Sequence, residues 1–183
     1  MLCTGNSNDI GIAQEIKNLF PDSAFASRST GVDLSTDVGL SKLKDILPQF
    51  NVLINNAYVS FGVQKEILKL TREVWDAGHV FNIGSLDEYD LYSHVNPRSH
   101  IENNELKNLG LSLNSDKFKV THITVGIFKS SHKAKTLELD VMDPKHVAST
   151  VKWILDIGVD IPVIGIQKMT DTVSALYKSH SKT

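Results

Sequence analysis

Short apolar runs alternate with stretches of helical periodicity along the chain, and this alternation constrains the fold more than any other feature. Several of the runs are almost continuous in apolar residues, such as Val52, Leu53 and Ile54. Continuous apolar strands are typical of a parallel sheet that is covered on both faces. We predict strands at residues 1–4, 23–27, 51–55, 79–84, 120–128 and 161–166.

The stretches between these runs predict helices. In the first of them Ile12, Ala13, Ile16 and Leu19 recur every three to four residues, with polar residues on the other side. Helices are predicted at residues 9–20, 38–47, 65–75, 100–113, 143–155 and 171–177. Strand–helix–strand alternation implies parallel strands joined by right-handed crossovers. The sequence therefore predicts one α/β domain over residues 1–183, a doubly wound parallel sheet of six to seven strands with helices on both faces.

Composition limits the partners and the compartment. The net charge is −2, which gives no indication of nucleic acid or an anionic membrane as a partner. The single cysteine, Cys3, allows no intrachain disulfide and favours a reducing, cytoplasmic location. No apolar stretch is long enough to span a bilayer, and a structural motif follows Met1 almost at once, so we expect neither a membrane anchor nor a signal peptide. Seven histidines are scattered without ligand spacing, so no metal site is expected.

The first predicted strand ends in a glycine turn that leads into a helix, which is the outline of a dinucleotide site. The turn resembles the Thr-Gly-x-x-x-Gly-x-Gly motif of short-chain dehydrogenases/reductases. The resemblance implies a shortened Rossmann-like fold and a cofactor loop made of Thr4, Gly5, Ser7, Ile10 and Gly11. Asp9 replaces the middle glycine. If it faces the phosphates, two like charges about 4 Å apart repel by roughly 4 kcal/mol; alternatively, it caps the helix and points aside.

Two further segments resemble cofactor-lining parts of this family. Arg28 follows the second strand, where an arginine accommodates the 2′-phosphate of NADP, although it is also readable as a solvated surface residue. Residues 32–35 resemble the family's short third strand, whose aspartate, here Asp33, contacts the adenine; the crossover helix before it is missing. The family's Asn-Asn-Ala-Gly motif matches Asn55, Asn56 and Ala57, with Tyr58 in place of the glycine.

The catalytic segment departs from the family. Residues 81–85 resemble the strand that ends in the family's catalytic serine, here Ser85. The family adds a tyrosine that moves a proton and a lysine that lowers the pKa of the tyrosine and holds the nicotinamide ribose. The register of the following helix puts Ser99 and Asn103 at these two positions, and neither side chain can do that chemistry. We find no counterpart of the family's catalytic asparagine, and Gly126 fits the family's turn over the nicotinamide.

Two tyrosines remain as weaker catalytic candidates. Tyr89 and Tyr92 follow Ser85 closely, with His94 nearby as a possible proton carrier. The alternative is that both are loop aromatics that pack over the sheet.

Three functions therefore stay open. The chain is a non-catalytic relative that binds NADP, another nucleotide or a protein partner; a reductase or epimerase with rearranged residues; or a structural protein without a cofactor. In the family, helices before and after the serine strand often build a dimer interface, so the resemblance implies a homo-oligomer, a dimer or tetramer.

Overall fold

The computed structural model describes residues 1–85, 97–126 and 142–166, apart from the side chains of Pro97 and Ser99. Five helices and six strands alternate within these ranges. In chain order they are β1 (Leu2–Thr4), α1 (Ile12–Leu19), β2 (Ala24–Ala26), α2 (Asp37–Ile46), β3 (Val52–Asn55), α3 (Val63–Val74), β4 (Gly78–Ser85), α4 (Pro97–Leu113), β5 (Phe118–Val125), α5 (Lys145–Ile157) and β6 (Val163–Ile166). One-turn 3-10 helices follow β2 (Arg28–Thr30) and α2 (Leu47–Gln49).

The strands form one sheet in the order β2-β1-β3-β4-β5-β6, and every neighbouring pair is parallel. From β1 the chain moves outward to β2 and then returns past β1 to β3. The winding direction therefore reverses between β1 and β3, which makes the carboxyl ends of these two strands the switch point of the sheet. The predicted doubly wound parallel α/β fold is confirmed.

Two apolar cores cover the two faces of the sheet. One core joins α1 to α5 through buried residues that include Ile12, Ile16, Val147 and Val151. The second core lies beneath α2, α3 and α4. Fully burying an aliphatic side chain of this size contributes about 1.5–3 kcal/mol, so the two cores dominate the stability. Cys3 is fully buried in the first core, and burial raises the pKa of its thiol.

The short strand that the resemblance implies at residues 32–35 is absent. The segment folds as a turn because Asp33 Oδ1 accepts hydrogen bonds from the backbone N–H of Ser35 at 3.0 Å and from its hydroxyl at 2.6 Å. Thr36 then caps α2 by accepting a hydrogen bond from the N–H of Gly39. Gly39 packs so closely on this turn that a Cβ would lie 1.7 Å from the Asp33 carbonyl oxygen.

Several helix and strand limits differ from the predictions. Helix α1 begins three residues later than predicted, and α4 begins three residues earlier, at Pro97. Pro144 is the N-cap of α5, and Asp143 Oδ1 accepts a hydrogen bond from the Lys145 N–H at 2.9 Å. The helix predicted at 171–177 and the end of the strand predicted at 120–128 lie outside the described residues. No helix within the described ranges has the length and apolar character needed to cross a membrane.

Candidate nucleotide-binding site

The candidate site lies at the carboxyl ends of β1, β2, β3 and β4. In an open parallel sheet, ligands bind in the crevice at the switch point, which here separates β1 from β3. The predicted cofactor residues of the first three strands, and the predicted serine of β4, lie at the last strand residue or after it, at this edge of the sheet.

The loop from β1 to α1 leaves the start of α1 open. Gly5 has a φ of +129°, and a Cβ there would lie 2.9 Å from Nδ2 of Asn56. Gly11 is the N-cap of α1, and no side chain caps the helix there. The first N–H groups of a helix have no partner within the helix and attract anions. Between the two glycines, Ser7 is half-buried and Ile10 is exposed.

Asp9 is held on the loop by Asn6. The Asn6 Nδ2 donates to Asp9 Oδ2 at 2.7 Å, while its Oδ1 accepts from the Asn8 N–H at 3.1 Å and from the Ser29 hydroxyl at 3.3 Å. Of the two alternatives for Asp9, capping of α1 is wrong, because α1 has no side-chain cap. Sequence reasoning missed Asn6, which connects the loop to the end of β2 and turns the carboxylate onto the loop itself.

The tip of β2 carries the predicted specificity residues. Arg28 is exposed and begins the 3-10 turn after β2, where Ser27 and Thr30 form a capping box. Hydrogen bonds from Ser35 hold the pKa of Asp33 below its ordinary value, and the Arg28 charge lowers it further. The fold therefore brings Arg28 and Asp33 within electrostatic reach of each other beside the β1–α1 loop.

The Thr4 hydroxyl holds the backbone that follows β3 by hydrogen bonds. Thr4 Oγ1 accepts hydrogen bonds from the N–H groups of Asn56 and Ala57, each at 2.9 Å. The Asn56 side chain donates to the Thr4 carbonyl at 3.2 Å and lies against Gly5. The predicted motif residues Thr4, Gly5, Asn56 and Ala57 thus come together at one point of the crevice.

Asn55 supports the sheet rather than the crevice. Its side chain is fully buried and donates to Asn82 Oδ1 at 2.9 Å and to the Gln64 carbonyl at 2.8 Å. Gln64 in turn donates from Nε2 to the carbonyls of Asn55 and Ile83 at 2.8 and 3.0 Å. Gln64 belongs to α3, the helix that precedes β4, and its side chain is buried. It connects β3 to β4 and does not line the crevice. In the sequence, Gln64 stands beside other polar residues at the start of α3, so nothing there indicates that its side chain is buried between two strands.

Asn103 lies against the end of β4, where the resemblance puts a lysine. Its Oδ1 accepts a hydrogen bond from the Ser85 N–H at 3.2 Å, and the residue is 7% exposed. A Cβ on Gly84 would lie 2.4 Å from His122 Nε2 and 3.3 Å from Asn103 Oδ1. Glycine at 84 is therefore required by the buried imidazole and amide beside it. Sequence reasoning missed His122, which occupies the strand position next to Asn82 in the sheet register.

The remaining predicted residues are only partly described. Gly126 is buried directly after β5, and its N–H donates to the Ile166 carbonyl at 2.8 Å. Tyr89, Tyr92 and His94 lie outside the described residues, and so does the side chain of Ser99. In the parts of the chain that are described, no three His, Cys, Asp or Glu residues are grouped to hold a metal ion.

Tyr58 and the buried carboxylate of Glu102 also lie at this edge of the sheet. Neither of them was predicted from the sequence as a site residue. Glu102 is 1% exposed, and its Oε1 accepts a hydrogen bond from the Gly62 N–H at the start of α3. Tyr58 is 60% exposed; partial burial raises the pKa of its phenol, and the Glu102 carboxylate raises it further. The exposed Arg98 has the opposite effect on the pKa of Tyr58.

Solved structures share this Rossmann-like α/β architecture. A short-chain dehydrogenase/reductase, glucose/ribitol dehydrogenase, from Brucella melitensis has a TM-score of 0.72 at 12% identity, over 92% of this chain and 96% of that chain. The 3-alpha-hydroxysteroid dehydrogenase from Pseudomonas sp. B-0831, complexed with NADH, has a TM-score of 0.68 at 12% identity, over 97% and 98% of the two chains. A serine dehydrogenase complexed with NADP⁺ has a TM-score of 0.68 at 15% identity, over 91% and 94%.

These similarities show the fold alone, a Rossmann-like α/β fold that this chain shares with these solved structures. No family model matches the sequence, and no curated protein matches it.

Proposed function

We propose that this chain binds a dinucleotide of the NADP type across the tips of β1, β2 and β3, and that it lacks the standard hydride-transfer chemistry of the fold. The observation that carries the proposal is the Asn103 amide, which accepts a hydrogen bond from Ser85 where the resemblance puts a lysine. A bound NADP would supply a nicotinamide that accepts a hydride. Standard catalysis also needs a protein side chain that exchanges a proton with the substrate oxygen.

The residues at the edge fit a phosphorylated dinucleotide. The uncapped start of α1 offers N–H groups to a pyrophosphate, and the contact of Gly5 with Asn56 leaves no room for a side chain there. The hydrogen bond from Asn6 holds the Asp9 carboxylate on the loop, which reduces the obstacle raised by the lost glycine. Arg28 offers an exposed guanidinium for a 2′-phosphate.

The second half of the crevice supports the loss of standard catalysis. Asparagine carries no charge, so Asn103 lacks the positive charge by which a lysine lowers the pKa of a neighbouring phenol. The described phenol at this edge, Tyr58, has its pKa raised by burial and by Glu102, which makes it a weaker proton donor. A lysine beside a tyrosine has the opposite effect.

Calorimetric titration tests the binding. We expect NADP⁺ to bind, and Arg28→Ala to weaken NADP⁺ while leaving NAD⁺ unchanged, since only NADP⁺ carries the 2′-phosphate. Lys152→Ala is the matched control, because Lys152 is an exposed cation on α5 that pairs with Asp156. Absence of binding by both nucleotides would contradict the proposal.

Hydride-transfer assays test the missing chemistry. With NADPH and a panel of aldehydes and ketones, we expect no oxidation of the nicotinamide above the rate without protein. Turnover that disappears in Ser85→Ala would instead favour an active enzyme with rearranged residues. Tyr89→Phe and Tyr92→Phe would then identify which tyrosine acts.

We further propose that the chain works in the cytoplasm as a dimer or tetramer. Helix α4 supports this, because it exposes the apolar side chains of Ile101 and Leu111. Sedimentation equilibrium at increasing protein concentration tests it, and a monomer throughout would contradict it.

A further inference from the structure

A small cavity lies at the edge of the sheet opposite the candidate nucleotide site. It is bounded by the starts of β4 and β5, the end of α5 and the loop that leads to β6, and its volume is about 150 Å³. His79, which lines it, is the second residue of β4, whereas Ser85 is the last. Because a strand rises about 3.3 Å per residue, the cavity lies about 20 Å from the carboxyl ends of the strands. The proposed nucleotide therefore does not use it.

The wall of this cavity is mainly apolar. The side chains of Ile154 and Leu155 come from the last turn of α5, and Val159 follows that helix. Ile154 is 1% exposed and Val159 is 50% exposed, so the apolar wall runs from the core to the protein surface. An apolar cavity of about this volume takes up one benzene ring.

The charged groups at the cavity compensate each other. Lys119 Nζ donates to Asp160 Oδ2 at 2.9 Å, and the Asn114 side chain donates to the same oxygen at 3.3 Å. Burial lowers the pKa of His79 to about 4, so its imidazole is uncharged at neutral pH. The lining side chains therefore carry no net charge, and a charged ligand would lose its hydration without gaining a counter-ion.

His79 supplies the directional polar group of the cavity. Its ring stacks on Phe81 with the two centroids 4.0 Å apart, and its Nε2 lies 2.9 Å from Thr121 Oγ1. Its Nδ1 forms no hydrogen bond with any residue that the structure describes. This nitrogen accepts a hydrogen bond in one tautomer of the neutral ring and donates one in the other. A ligand hydroxyl both donates and accepts, so it matches either tautomer.

We propose that this cavity binds a small, uncharged aromatic alcohol, with its ring on the apolar wall and its hydroxyl on Nδ1 of His79. Phenol is the simplest member of that chemical class. The inference goes beyond the proposed nucleotide binding and does not rest on it, because the two sites lie at opposite edges of the sheet.

Titration of the isotope-labelled protein with phenol, followed by the NMR signals of its backbone amides, tests this inference without any nucleotide. We expect the signals of Lys119, Gly158 and Val159 to shift and to saturate with a dissociation constant of about 1 mM. Benzene lacks the hydroxyl and should bind about three- to ten-fold more weakly. Benzoate and benzylammonium carry a charge and should each bind at least about five-fold more weakly than phenol.

His79→Phe removes the ring nitrogens and keeps a planar ring. We expect its preference for phenol over benzene to fall below about two-fold. His146→Phe is the matched control and should keep the full preference, since His146 is exposed at the start of α5 and does not line the cavity.

A second variant avoids buried positions, because His79→Phe also takes the partner from the buried Thr121 hydroxyl. Val159→Trp enlarges an exposed side chain of the wall, so it competes with the ligand for space and should weaken phenol at least about five-fold. Val38→Trp is the control, because Val38 is exposed on α2 and does not line the cavity.

Three results would each overturn the inference: no saturating shifts at the cavity with phenol up to about 10 mM, equal affinities for phenol and benzene, or tighter binding of either charged probe. Phenol affinity that is unchanged in both Val159→Trp and His79→Phe would also overturn it, because the phenol would then bind elsewhere. Each of these results would leave the proposed nucleotide binding standing.

Discussion

Thr4 offers the most direct test of how the crevice is built, because one hydroxyl joins β1 to the chain after β3. Its Oγ1 accepts hydrogen bonds from Asn56 and Ala57 at 2.9 Å and donates to the Ile54 carbonyl at 3.4 Å. Thr4 has no exposed surface, and Ala57 is 8% exposed. Thr4→Val keeps the branched shape but removes the oxygen, so both N–H groups lose this acceptor.

The expected loss of stability in Thr4→Val follows from the loss of these two hydrogen bonds. A buried N–H without a partner costs about 1–3 kcal/mol, and Asn56 is only half-buried, so we expect the free energy of unfolding to fall by about 2–5 kcal/mol. For a chain of 183 residues, each kcal/mol lowers the melting temperature by about 2–4 °C. The melting temperature of Thr4→Val should therefore fall by about 4–20 °C.

Thr4→Ser is the matched control. It keeps the hydroxyl and loses one buried methyl group, which costs about 1 kcal/mol. Both variants are measured by urea denaturation followed by far-UV circular dichroism. A Thr4→Val protein as stable as Thr4→Ser would refute the reasoning, because it would show that the hydroxyl does not hold the end of β3.

Three further predictions concern other parts of the molecule. Gly39→Ala should lower the free energy of unfolding by at least about 2 kcal/mol in denaturant titrations, because the new Cβ would lie 1.7 Å from the Asp33 carbonyl oxygen, whereas Ser41→Ala on the exposed side of the same helix should not. Asp9→Asn should tighten NADP⁺ binding about five-fold by calorimetry, since it removes a negative charge near the pyrophosphate and keeps a partner for Asn6; weaker binding would show that the carboxylate assists. Burial lowers the pKa of His79 to about 4 from an ordinary value of about 6.5, so the stability linked to this neutral imidazole is complete above pH 6.5 and is lost as the pH falls towards 4. The urea midpoint should fall over that range, and His79→Gln should flatten the fall; parallel curves would contradict this.

The sheet could be predicted from the sequence because each strand and each helix is indicated by the pattern of apolar residues within its own segment. A run such as Val52, Leu53 and Ile54 has to be buried on both faces, and helical stretches between such runs allow only parallel crossovers. The short strand that the resemblance implied at residues 32–35 is absent for an equally physical reason. The amino-acid types of residues 32–35 are compatible with an extended strand. The hydrogen bonds that Asp33 accepts from Ser35 instead turn the chain towards the N-cap of α2.

The site could be predicted only where its contacts are short in sequence or belong to a known motif. Thr4, Gly5, Asn56 and Ala57 come together as the motif resemblance implies. The direction of the Asp9 side chain depends on Asn6, and Asn6 in turn meets Ser29 from the next strand. Such a contact is decided by tertiary packing and leaves no periodic signal.

Glu102 shows the same limit more strongly. Its partner Gly62 is 40 residues away, and the helix that carries Glu102 reads as polar along most of its length. Burial of a carboxylate is uncommon without a partner, so only the structure reveals that the start of α3 provides one.

Compared with the lysine that the resemblance puts at position 103, Asn103 carries no charge but offers a hydrogen-bond acceptor. An ammonium group has only donors, so it cannot accept a hydrogen bond from the Ser85 N–H as Asn103 Oδ1 does at 3.2 Å. The end of β4 is therefore built around the amide, and His122 fills the space beside Gly84. Restoring a lysine at 103 would remove this acceptor and add a buried charge without supplying a phenol. The Asn103 amide is thus embedded in the packing of this strand end, and Asn103→Lys alone is not expected to produce hydride transfer.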